Sequence, residues 1–173
     1  MRLLFCKYLG WLDSRSTWQF LGILYMARWV FIIPYMIGAT FLFTDAQLAR
    51  ASASELSAVN PVLLLANIVV LGPLLETLVE CSLPFFVLSF IQRKKGRLPA
   101  RPWLFIMISA LLMVLLHPIL AAVVPSFVTG FFLAYCYAHF ASRGFGYALL
   151  RTTGFHGAIN IVGWTLITFG VNI

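Results

Sequence analysis

The chain has 173 residues, of which 62% are hydrophobic and 10% charged, with a mean hydropathy of +0.97 and a formal net charge of +7. Apolar residues make up about 45–50% of an ordinary globular domain, so a water-soluble fold could not hide this much apolar surface. In a soluble protein the basic excess would point to nucleic acid. Here it is concentrated between apolar runs, the pattern of the positive-inside rule, and nucleic acid is excluded as a partner.

The apolar runs are continuous rather than alternating, which excludes a transmembrane barrel and leaves helices, whose backbone groups are satisfied internally in lipid. In chain order, residues 1–16 place Leu4, Phe5, Tyr8, Leu9 and Trp11 beside Arg2 and Lys7, the composition of an interfacial helix. Asp13 and Arg15 interrupt it, and no cleavage site follows a proper apolar region, so a signal peptide is not expected. Five membrane helices are predicted, over about 17–44, 61–91, 102–117, 119–140 and 147–171. The third is short and meets the fourth at the tight His117-Pro118 junction, as a tilted or half-buried hairpin arm. The expected fold is thus an all-α polytopic membrane bundle forming a single domain over residues 1–173. Cys6, Cys81 and Cys136 form no C-x-x-C pair and therefore no disulfide framework or zinc knuckle.

Lysine and arginine set the expected orientation. Arg2, Lys7 and Arg15 precede the first helix; Arg93, Lys94, Lys95, Arg97 and Arg101 crowd the loop after the second; Arg143 separates the fourth and fifth. The intervening loops carry only Arg50, so the N-terminus is expected in the cytoplasm and the C-terminus outside it. The small size and dense basic loops fit a bacterial inner membrane.

Of the chain's five acidic residues, Glu76 and Glu80 lie inside the second apolar run. An ionisable side chain at membrane depth costs roughly 2.5–3.5 kcal/mol, and such residues are usually functional or paired. The other polar groups at such positions are Arg28, His117, Arg151, His156 and Asn160, whereas His139 falls near an interface. At ~1.5 Å per residue, Glu76 lies ~25 Å from Arg93, His117 ~24 Å from Arg101 and His156 ~20 Å from Arg143, so three helices bring a carboxylate and two imidazoles to similar depth. Asn160 follows His156 by four residues and Glu80 follows Glu76 by four, so each pair is expected on one helical face. Arg28 and Glu80 also reach matching depths, and an ion pair between them is expected. Arg151, nearer the cytoplasmic face, can snorkel. Each polar residue taken singly is equally well read as glue between helices.

At these positions the chain resembles the CPBP intramembrane proteases, the family of type II CAAX prenyl endopeptidases and of bacteriocin-processing, immunity or abortive infection proteins. The family pattern E-E-x-x-x-R, F-x-x-x-H, H-x-x-x-N has its counterparts in Glu76-Thr77-Leu78-Val79-Glu80-Cys81, Met113-x-x-x-His117 and His156-Gly157-Ala158-Ile159-Asn160. The resemblance covers residues 61–173 and leaves 1–60, with the first membrane helix, as an extension. Thr77 stands for the second glutamate, Cys81 for the arginine and Met113 for the phenylalanine. The resemblance implies that Glu76 and His117 activate water and that His156 and Asn160 stabilise the oxyanion; the expected pairing of Arg28 with Glu80 would support them in place of the missing arginine.

The implied function is endopeptidase cleavage of a protein or peptide substrate in or at the bilayer, and the chemistry agrees with it. A general base must reach its water within hydrogen-bond distance, and donors aimed at a developing oxyanion are worth ~2.7–4 kcal/mol each. Two versions remain open: a metal-free glutamate mechanism, or zinc held by Glu76, His117 and His156 with one position left for water. A non-catalytic scaffold, immunity or partner protein on the same fold is the alternative function. An ion or proton carrier is disfavoured, because no inverted repeat or pair of broken helices is visible.

Overall fold

The computed structural model describes residues 15–44, 47, 61–91 and 102–168, and every element among them is helical. Helix α1 is Thr17–Leu42, α2 runs over 61–91 as a succession of α and π segments, α3 is Pro102–Leu116, α4 is Val123–Ala141 and α5 is Phe145–Thr168. The expected interfacial segment at the N-terminus and the loops carrying Arg50 and Arg93 to Arg101 lie outside the described residues.

Local chemistry accounts for the helix ends. Ser16 caps α1 in a capping box. Its Oγ accepts from the Gln19 N–H at 3.4 Å. In return Gln19 Oε1 accepts from the Ser16 N–H at 3.2 Å. Pro118 disfavours the α conformation at His117, so α3 stops there. The chain then passes through extended Ile119 and a short 3-10 turn, Leu120–Ala122, and α4 begins at Val123 rather than at Ile119 as expected. Pro125 falls in the first turn of α4, where a missing N–H costs nothing.

Helix α2 is interrupted twice in the same way. The π segments Asn67–Leu71 and Leu78–Ser82 each end two residues before a proline, Pro73 and Pro84. The Gly72 N–H bonds the Asn67 carbonyl and the Leu83 N–H bonds the Leu78 carbonyl, each reaching back five residues instead of four. Proline has no N–H to offer the carbonyl four residues earlier and its ring crowds that group, so the ladder widens ahead of it. One consequence is specific. With Gly72 committed to Asn67, and Pro73 next in line, the Ile68 carbonyl has no donor in its own helix.

Helix α4 is the centre of the bundle, touching α1, α3, α5 and the second π segment of α2. Its inward residues Leu133, Ala134, Cys136, Tyr137 and Phe140 are buried. They meet Phe20 and Leu24 from α1, Phe85 from α2, Phe105 from α3, and Ala148 and Phe155 from α5. Aromatic rings here meet edge-on, the geometry their quadrupoles favour. The Phe85 ring centroid lies 5.6 Å from that of Phe105 and 5.4 Å from that of Tyr137. Helices α3 and α4 approach closely because position 130 is glycine. A Cβ there would lie 2.7 Å from Met113 Cβ and 2.9 Å from Ala110 Cα. Such small-residue contacts are typical of membrane helices.

The outer surface is apolar, with Phe41 and Phe90 exposed by 85% and 84% and Met26, Val30, Ile37 and Leu115 projecting alongside them. Thr17–Leu42, Val62–Ile91 and Leu120–Ala141 are long and apolar enough to cross a membrane. The chain is therefore an integral membrane protein with three such helices among the described residues. Helix α3 is apolar but has only 15 residues, and α5 dilutes its apolar residues with Arg151, His156, Asn160 and four glycines.

Candidate active site

Glu76 lies in the α-helical segment Gly72–Thr77, held between the two π segments of α2. Its Oε2 is 3.3 Å from Nε2 of His156 on α5, with side-chain exposures of 29% for the glutamate and 2% for the histidine. The carboxyl group thus opens outward while the imidazole is enclosed. When Glu76 is ionised it can only accept, so Nε2 of His156 carries the hydrogen. His156 Nδ1 is buried without a hydrogen-bond partner.

His117, at the end of α3, has Nδ1 at 3.0 Å from the Met113 carbonyl. A carbonyl only accepts, so Nδ1 donates, and in the neutral ring Nε2 is left as a free acceptor. His117 lies within electrostatic range of both Glu76 and His156. Helices α2 and α5 thus bring Glu76 and His156 into contact, with His117 from α3 within electrostatic range. Asn160, one turn beyond His156, donates from Nδ2 to the Ile68 carbonyl at 3.1 Å, the group that the first π segment leaves without a donor. Its neighbour Gly157 lies directly against the Val69 carbonyl, leaving no room there for a Cβ. Pro73, Gly157 and Asn160 together dock α5 onto α2 and fix where His156 meets Glu76.

One expectation is corrected. The Arg28–Glu80 ion pair does not form. Arg28, buried on α1, donates from Nε to Thr129 Oγ1 on α4 at 3.0 Å, and its Nη1 has no partner. Both carboxyl oxygens of fully buried Glu80 also lack a hydrogen-bond partner. Matching depth along two helices does not set the rotation of either, and Arg28 is turned toward α4. It lies instead within electrostatic range of His156. Glu76 and Glu80 lie within electrostatic range of each other, Glu80 enclosed and Glu76 partly open.

The Arg28 contact yields a stability prediction. Thr129→Val leaves the buried Nε–H without an acceptor and should cost about 1–3 kcal/mol in a detergent melting experiment. Arg28→Met removes the guanidinium together with its unmet donors and should be neutral or stabilising.

No group of three or more His, Cys, Asp or Glu side chains among the described residues gathers closely enough to hold a metal ion. Glu76, His117 and His156 as placed therefore do not form a zinc set, which needs all its ligands at about 2 Å from one point. Cys81 is a buried free thiol. The neighbouring buried Thr77 has an unpartnered hydroxyl.

The legible signals that sequence reading passed over are Pro73 and Pro84, two prolines inside an otherwise unbroken helical run. No protein-family model, curated protein or solved structure matches the chain.

Proposed function

We propose that this chain is a CPBP-like intramembrane endopeptidase that hydrolyses a peptide bond of a membrane-associated protein or peptide without a metal. The observation that carries the reading is the 3.3 Å contact between Glu76 and His156, made across α2 and α5 with His117 in electrostatic range. An acid and two imidazoles from separate helices are costly at membrane depth, and their convergence argues for chemistry rather than chance.

In the mechanism, a water enters beside Glu76 and Nε2 of His117. Glu76 takes its proton, and the hydroxide oxygen bonds to the scissile carbonyl carbon while the carbonyl π electrons move to oxygen. The entering water displaces His156 from the carboxylate, and its released N–H turns to the oxyanion. Asn160 keeps one amide hydrogen on the Ile68 carbonyl and has the second to offer. The intermediate collapses as the C–N bond breaks, and the proton held by Glu76 passes to the leaving nitrogen. Arg28, a cation near His156, adds favourable field where negative charge develops and stands in for the arginine that Cys81 replaces.

The finer architecture belongs to the same proposal: five membrane helices in a bacterial inner membrane, a cytoplasmic N-terminus and a catalytic core over 61–173. A reporter fused after Ile173 is expected to report an extracytoplasmic location, and a cytoplasmic signal would refute this orientation.

A scaffold reading has one observation in its favour. The amide of Asn160 is already engaged on a backbone carbonyl, as polar glue between helices would be. The two readings separate when new protein N-termini are mapped in membranes of cells expressing the wild type, His117→Ala or His156→Ala at equal inserted levels. The protease reading expects cleavage products that appear only with the wild type. Identical N-terminal profiles in all three would leave the scaffold.

A further inference from the structure

The turn joining α4 to α5 gathers basic and aromatic side chains away from Glu76 and His156. The Arg143 guanidinium lies 5.7 Å from the ring centroid of Tyr147 and 5.6 Å from that of Phe140. The Arg151 guanidinium lies 5.1 Å from the same Tyr147 ring and 5.4 Å from Trp18 on α1. The Tyr147 hydroxyl accepts from Arg143 Nη1 at 3.4 Å and sits 3.5 Å from Thr17 Oγ1, tying α1, α5 and the turn before α5 into one frame. Two cations thus share one ring.

Nothing anionic faces them among the described residues. The two described carboxylates are Glu76 and Glu80; the first pairs with His156 and the second has no partner. Arg151 Nε is buried without an acceptor, an unmet donor on a guanidinium group. Around it the surface is apolar, with Trp18 exposed by 74% and Leu150 by 70%. Cations framed by an interfacial tryptophan and tyrosine, on an apolar helical wall, suit a ligand with a charged head and hydrocarbon tails.

We propose that Arg143 and Arg151, framed by Trp18 and Tyr147, form a headgroup site for an anionic phospholipid. The planar guanidinium groups match a phosphate diester, and basic pockets between membrane helices are the usual seat of such headgroups. The site is independent of the protease reading, since none of its residues has a role in the proposed hydrolysis.

The test is native mass spectrometry of the full chain in mild detergent, titrated separately with phosphatidylglycerol, phosphatidylcholine and inorganic phosphate. The wild type should hold phosphatidylglycerol more tightly than phosphatidylcholine. Arg143→Gln and Arg151→Gln should each weaken that binding about fivefold, the change expected for about 1 kcal/mol per arginine at an anionic surface. Arg151→Lys, which keeps the charge but loses the planar fork, should fall between. Arg143 is exposed and beyond the end of α4, so its variant decides the matter if Arg151→Gln fails to insert. Equal binding of the two lipids, unchanged binding in Arg143→Gln, or inorganic phosphate alone excluding phosphatidylglycerol would each overturn the proposal, the last by assigning the site to a soluble anion.

Discussion

Glu76→Gln should slow peptide cleavage about 10²–10⁴-fold, the usual contribution of a positioned general base, while the protein still inserts and melts as the wild type does. Glutamine matches glutamate in size, and its amide oxygen can still accept from His156 Nε2, so the contact between α2 and α5 survives the change. What it lacks is the capacity to take a proton from water. The substitution therefore separates chemistry from architecture at a carboxylate that opens outward. The readout is the rate at which substrate N-termini appear in membranes holding equal amounts of each protein. A rate within about twofold of wild type would remove Glu76 from the mechanism, because a base worth two powers of ten cannot be dispensable.

Gly157→Ala should damage both stability and activity. The glycine lies against the Val69 carbonyl so closely that a methyl group cannot be added unless one helix backbone moves. Overpacking of this kind typically costs about 1–3 kcal/mol, and here the obstacle is backbone rather than a side chain that can turn aside. Moving α5 outward would also lengthen the Asn160 bond to Ile68 and carry His156 away from Glu76. A displacement of about 1 Å at a catalytic group can cost 10²-fold in rate. The expected outcome is a lowered melting temperature together with loss of cleavage. Gly154→Ala, one turn earlier with open space around it, should change neither and serves as the control. If Gly157→Ala melted and cleaved like the wild type, the close approach of α5 to the first π segment would be wrong.

The elements and their order were legible in the sequence because continuous apolar runs bounded by Pro118, by the basic loops and by the turn at Arg143 leave little freedom in the placement of helices. Depth was legible for the same reason: a helix rises uniformly, so counting residues brought Glu76, His117 and His156 to one level. Rotation about each axis was not. Arg28 and Glu80 share a depth and still do not meet, because Arg28 turns onto Thr129 and Glu80 turns into the core. The irregularity of α2 was not legible at a glance either: Leu78–Ser82 is a π segment. Pro73 and Pro84 held the clue to that irregularity. Which carbonyl each proline would release, and that Asn160 would satisfy one of them, required the neighbouring helix to be in place.

Length and composition alone support three of the five expected crossings. Three helices among the described residues are long and apolar enough to span alone. Helix α5 carries the histidine and asparagine of the candidate site, and those polar groups, turned inward, lower its hydropathy. A helix that hosts polar chemistry in a bundle depends on its neighbours rather than on its own composition.

Glu76 and His156 meet between helices α2 and α5, and a double-mutant cycle measures that meeting without any knowledge of substrate. Glu76→Ala, His156→Ala and the double variant would be compared with wild type by unfolding in detergent. A coupling energy of about 0.5–3 kcal/mol is expected for side chains in contact. Additivity within about 0.3–0.5 kcal/mol, as for residues far apart, would mean that the carboxylate and the imidazole do not touch, and the hydrolytic site would have no foundation.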